Sequence, residues 1–73
     1  MNWGRSILDA RRGHIRQTRD GVPRTFITSD TRVGIALCGA LLVADLVARG
    51  DFAQCSACVA IAEAEERKRA QGQ

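Results

Sequence analysis

"LCGALLVADLVARGDFAQCSAC", residues 37–58, decides how this chain is read. It opens on a Cys-Gly pair, crosses the most apolar part of the chain, and ends on a Cys-x-x-Cys pair. Behind it comes "VAIAEAEERKRA", residues 59–70, built almost wholly from strong helix formers. Cys55 and Cys58 therefore sit at a helix start, one turn apart, with both sulfurs able to face one point. Three readings compete for such a pair: half of a metal site, a redox couple, or two buried core thiols.

The redox motif requires a strand before the pair within a βαβ unit. A chain of 73 residues has no room for that fold, and no aromatic residue directly precedes Cys55. Buried thiols would fit the general tendency of cysteine toward the interior. The metal reading uses more of the sequence. Helix-start N–H groups favour thiolate at Cys55 and Cys58. Zn²⁺ takes four ligands in a tetrahedron, with sulfur at about 2.3 Å. The chain holds two further residues of the right kind, Cys38 and His14, its third cysteine and its single histidine. Gly39 after Cys38 permits the tight backbone turn of a zinc knuckle. The pattern His14, Cys38-Gly39, Cys55, Cys58 is a Cys₃His set with no cysteine or histidine left over. Four protein ligands make a closed site, structural rather than catalytic.

The apolar run at 33–48 is shorter than the ~20 residues a membrane-spanning helix needs, and Asp45 interrupts it. The N-terminal stretch lacks the apolar core of a secretory signal. The expectation is a cytoplasmic protein without a membrane segment, a setting in which clustered cysteines bind metal more often than they form disulfides.

The pattern elsewhere is that of a small α+β domain. "RSILDARRG", 5–13, reads as a short helix, or else as a disordered or strand-adding arm, with Ser6 and Asp9 imitating a capping box and Gly13 as a stop. "HIRQTR", then Asp20-Gly21, then "RTFITSD" reads as a hairpin. Val33, Ile35 and Leu37 alternate as a third strand would. Residues 41–43 suggest a strand, followed by a helical turn ending near Gly50. Asp51 with Gln54 suggests a capping box for the last helix, whose exposed face carries Glu63–Arg67 and Glu65–Arg69 at the favourable spacing. The predicted architecture is a β-meander with a Cys-Gly knuckle and a C-terminal helix, zinc-ribbon or treble-clef-like. Residues 1–12 form an arm or short helix, 13–70 the domain, and 71–73 a frayed tail. If strands one and three of the meander lie side by side, His14 meets Cys38.

Hydrophobic burial alone gives a chain of this length a thin core, and only Trp3, Phe26 and Phe52 are aromatic. A staple is expected, and zinc can supply it.

"GHI", "LCGA" and "CSAC", together with a helix after the last pair, resemble the small zinc-finger proteins of actinobacteria and their phages. The resemblance covers roughly residues 13–62. It implies His14, Cys38, Cys55 and Cys58 as zinc ligands and implies no particular activity.

The net charge is +3, and the N-terminal half is the basic part. Arg11, Arg12, Arg16, Arg19 and Arg24 can meet the phosphates of a nucleic acid, or can form a solvated surface. No Ser/His/Asp set or phosphate-cradling glycine loop is present, so neither an enzyme nor a small-molecule substrate is expected. Two functions remain: a nucleic-acid-binding accessory or regulatory factor, and a protein-interaction module that uses the 40–48 run or the Phe52 helix face against a partner or a second copy.

Overall fold

The computed structural model describes residues 2–72; residues 1 and 73 lie outside it. The chain forms strands β1 (Trp3–Ser6), β2 (Arg12–Ile15), β3 (Thr18–Arg19), β4 (Val22–Pro23), β5 (Thr25–Thr28), β6 (Thr31–Ile35), β7 (Leu41–Val47) and β8 (Ala53–Gln54), then helix α1 (Ser56–Gln71). The main sheet has the order β5-β6-β7-β1-β2-β8, and β3–β4 is a separate two-stranded hairpin. This is an α+β domain with one sheet and one C-terminal helix.

The sheet curls until it meets itself. Beyond β2, Arg16 bridges Ala36 in antiparallel fashion. The Gln17 N–H donates to the Ile35 carbonyl and the Leu37 N–H to the Ile15 carbonyl, both at 2.9 Å. Strands β6, β7, β1 and β2 thus close a small ring. The same edge of β6 then pairs with β5, at Thr25↔Gly34 through Thr28↔Thr31. The chain leaves this edge after Gln17, makes the β3–β4 hairpin, and returns where the Arg24 N–H meets the Gln17 carbonyl.

Two tight turns explain the hairpins. Asp20 and Gly21 have φ of 54° and 80°, and Ser29 and Asp30 have 48° and 64°. Both central residues positive is the turn that matches strand twist, and Asp is among the residues that tolerate it. The Asp20-Gly21 signal therefore marks a real hairpin. Its strands are only two residues each, and β5 pairs with β6, not with the segment before the turn.

Two expectations are corrected. Residues 3–6 are not helix: β1 lies between β2 and β7, so the N-terminal segment adds a strand to the sheet, as the alternative reading of it has it. Its two apolar residues, Ile7 and Leu8, follow the strand in a turn, and the Ser6 hydroxyl accepts from the Leu8 and Asp9 N–H groups. Residues 41–47 form one strand rather than a short strand and a helical turn. The strand bends at Asp45, whose φ is 62°, and its register against β1 jumps between Gly4↔Val47 and Ser6↔Leu42.

The core is small: Ile15, Ala36, Leu42, Cys55 and Cys58, flanked by Trp3, Leu37, Ala40 and Ala62. Helix α1 touches it along its first two turns, at Cys58 and Ala62. Cys58 is its buried residue, and residues 63–72 are exposed. The expected frayed tail is taken up by the helix as far as Gln71. Arg12–Asp9 and Arg32–Asp45 are the ion pairs among the described residues; Glu63–Arg67 and Glu65–Arg69 are not closed.

Candidate metal centre

Four side chains from three separate pieces of backbone converge at the open end of the ring. His14 comes from β2, Cys38 from the turn after β6, and Cys55 and Cys58 from the junction of β8 and α1. One ligand atom from each lies within 4.8 Å of all the others. The His14 Nδ1 is 3.4 Å from the Cys38 Sγ and 3.7 Å from the Cys58 Sγ, and the Cys55 and Cys38 sulfurs are 4.0 Å apart. A tetrahedron with zinc-length bonds has edges of about 3.8 Å between sulfurs and about 3.6 Å from sulfur to nitrogen. The four residues therefore form a His/Cys cluster that can hold a metal ion.

Local structure explains each position. His14 and Arg16 are both buried, and between them Ile15 points into the core. The Cys38 turn is closed by hydrogen bonds from the Ala36 N–H to the Ala40 carbonyl and from the Gly39 N–H to the Ala36 carbonyl. Gly39 has φ of 93°, which only glycine adopts freely, so the Cys-Gly pair behaves as expected of a knuckle. Cys55 is delivered by a short parallel pairing between β2 and β8 that has no local sequence signal. The Ala53 N–H donates to the Arg11 carbonyl, and the Cys55 N–H to the Gly13 carbonyl, both at 2.9 Å. This places Gln54 in a strand, so the Asp51–Gln54 capping box does not form, and Cys55 is the residue from which the helix starts. Gly13, read as a helix stop, instead lies in β2, with the Phe52 ring where its side chain would be.

The electrostatics suit a metal. Burial, helped by the Arg12 guanidinium and opposed by Asp9, holds His14 below the ordinary imidazole value and keeps it neutral. The Cys58 backbone N–H, against the effect of burial, pulls the Cys55 thiol down. Burial pushes the Cys58 thiol up to about 11. A buried thiol of this kind needs a cation beside it before it ionises. All three cysteines are free thiols; Cys38 is the exposed one.

The arginines do not form one surface. Arg11 and Arg12 are exposed near Asp9, whose carboxylate accepts the Arg11 N–H. Arg19 and Arg24 are exposed on and beside the β3–β4 hairpin. Arg16 is 4% exposed, which removes it from any phosphate-binding set. Its guanidinium lies inside the ring and donates to the Val43 and Leu46 carbonyls at the bend of β7. The sequence reading missed Arg69, which joins Arg19, Arg24, Gln17, Glu65 and Glu66 around a cleft between the hairpin and α1. Sequence spacing could not have linked them, because the cleft exists only once the helix docks.

No helix among the described residues is long and apolar enough to cross a membrane. Comparison with family models, curated proteins and solved structures finds no match for this chain. What fold and site define is a small α+β domain with a His/Cys cluster suited to a metal ion.

Proposed function

We propose that this chain is a structural-zinc protein, not an enzyme, and that it serves as a binding module for a protein partner. The observation that carries the zinc reading is the convergence of His14 Nδ1 and three cysteine sulfurs to within 4.8 Å. Three sulfurs and one imidazole are the donor set of structural zinc, and four protein ligands leave no open position for a substrate. The ion would tie β2, the Cys38 turn and the start of α1 together, supplying the staple that so small a core lacks. A Cys-Gly turn and a helix start around one centre is a treble-clef-like arrangement, in keeping with the resemblance to small zinc-finger proteins. A reducing, cytoplasmic setting goes with this reading.

The surface favours a protein partner. Phe26, Leu41, Val43, Leu46 and Val47 are 39–48% exposed, so much of the apolar 40–48 run is uncovered. Contiguous exposed apolar surface marks interaction sites. A nucleic-acid reading has its own support in Arg19, Arg24 and Arg69 around the hairpin–helix cleft, though Glu65 and Glu66 share it.

Metal analysis of protein purified without added zinc tests the first part. One equivalent is expected, lost on Cys58→Ser. Metal-free protein that melts as the loaded protein does would overturn it. A gel-shift assay at two salt concentrations tests the second: binding to nucleic acid that falls steeply with salt would replace the protein-partner reading.

A further inference from the structure

Strand β5 is a free edge of the sheet. Its hairpin with β6 closes at Thr28↔Thr31 around the two-residue turn Ser29-Asp30. In such a hairpin the closing pair exchanges hydrogen bonds, and alternation follows from there. Thr28 and Phe26 turn their N–H and C=O toward β6; Thr25 and Ile27 turn theirs outward, where no backbone partner meets them among the described residues. Phe26 lies in one cross-strand row with Val33 and Val43, on the face opposite Leu42 and Gly34, which face the ring interior. Phe26 is 43% and Val43 39% exposed, and Val33 between them is buried. A cation, Arg24, stands just before the strand, and a carboxylate, Asp30, just after it.

We propose that β5 pairs antiparallel with β5 of a second copy of this chain, about a two-fold axis through Phe26. This rests on the binding-module reading and names its partner. One register satisfies every feature at once. Setting Thr25 opposite Ile27 of the partner subunit joins the outward-facing N–H and C=O groups in four hydrogen bonds. The same register faces Phe26 with Phe26 of the partner subunit and keeps the two apolar rows on one side. It also brings Arg24, whose guanidinium donates to the Gln17 side chain, opposite Thr28 of the partner subunit, beside the turn that carries the partner's Asp30. A strand with a cation at one end and a carboxylate at the other is complementary to its own antiparallel copy. The interface is small, so the dimer belongs to the weak, concentration-dependent class.

Sedimentation equilibrium and amide hydrogen exchange on the metal-loaded protein test this. The wild type should dimerise with rising concentration, with protection gained at the Thr25 and Ile27 amides. Ile27→Pro removes an outward N–H and no bond to β6, so it should weaken the dimer at least about tenfold, a 1.4 kcal/mol change, while keeping its metal. Arg24→Gln and Asp30→Asn should each weaken it, and the double variant should be no weaker than either alone, since both remove the same pairs. A wild type that stays monomeric at millimolar concentration, or a dimer indifferent to Ile27→Pro, overturns the proposal. Metal content, measured alongside, separates these outcomes from failure of the zinc reading.

Discussion

The guanidinium of Arg16 occupies the space that a side chain at position 34 would need: a β-carbon on Gly34 would lie 2.5 Å from its Nη1. A β-carbon on Gly4 would lie 2.8 Å from its Cζ. Two glycines on facing strands thus make room for one buried cation. The reason lies in β7. Its bend at Asp45 takes the Val43 and Leu46 carbonyls out of the ladder with β1, and Arg16 supplies donors to both.

This geometry predicts coupling between residues 16 and 34. Gly34→Ala should cost about 1–3 kcal/mol by overpacking. Arg16→Ala should cost a similar amount or more, because it leaves buried carbonyls unpaired. In an Arg16→Ala background the added methyl has space, so the double variant should be less destabilised than the sum. Urea unfolding of the four proteins measures this directly, and simple additivity would refute the contact.

Metal removal should unfold the chain. Structural zinc in small domains contributes on the order of 10 kcal/mol, comparable to the ~5–15 kcal/mol total stability of a domain. Circular dichroism during chelation should show loss of the sheet and helix signals together. Cys58→Ser should do the same, since Cys58 is fully buried. Cys38→Ser, at the exposed ligand, should leave a weaker and partly loaded site.

Gly13→Ala should destabilise by about 1–3 kcal/mol, because the Phe52 ring fills the space over residue 13. Trp3 reports on it: its ring lies 5.4 Å from that of Phe52. A shift in Trp3 fluorescence is expected with Gly13→Ala and not with Gly21→Ala, which meets no neighbouring atom.

Stability should fall as the solution is acidified. His14 is held below its ordinary 6.5, so the unfolded chain takes up its proton first, and stability is lost as pH drops below that value. Metal deepens the acid loss, because protons compete for every ligand. Melting temperatures of the metal-loaded protein from pH 8 down to pH 5 check the slope.

The helix and the His/Cys cluster were the most legible features. Residues 56–71 are helical because good helix formers run unbroken, and Gly39 announces its turn because little else tolerates that backbone. The Asp20-Gly21 hairpin was legible for the same local reason. The N-terminal strand was legible only as an alternative to a short helix. "WGRS" carries no alternation of apolar residues, and β1 is held by backbone bonds to neighbours on both sides. Arg16 was misread as surface because a buried arginine has the same letter as an exposed one; only the carbonyls freed by the β7 bend, far along the chain, draw it inside.

The sequence by itself determined the donors, the knuckle glycine and the helix that carries the last two cysteines, because each rests on side-chain chemistry or on backbone preference within a few residues. Tertiary structure alone decided the closure of the ring through Arg16 and Ala36, the parallel strand that brings Cys55 to His14, and the free edge at β5. Those depend on main-chain hydrogen bonds between distant segments, and a main-chain N–H is the same group in nearly every residue.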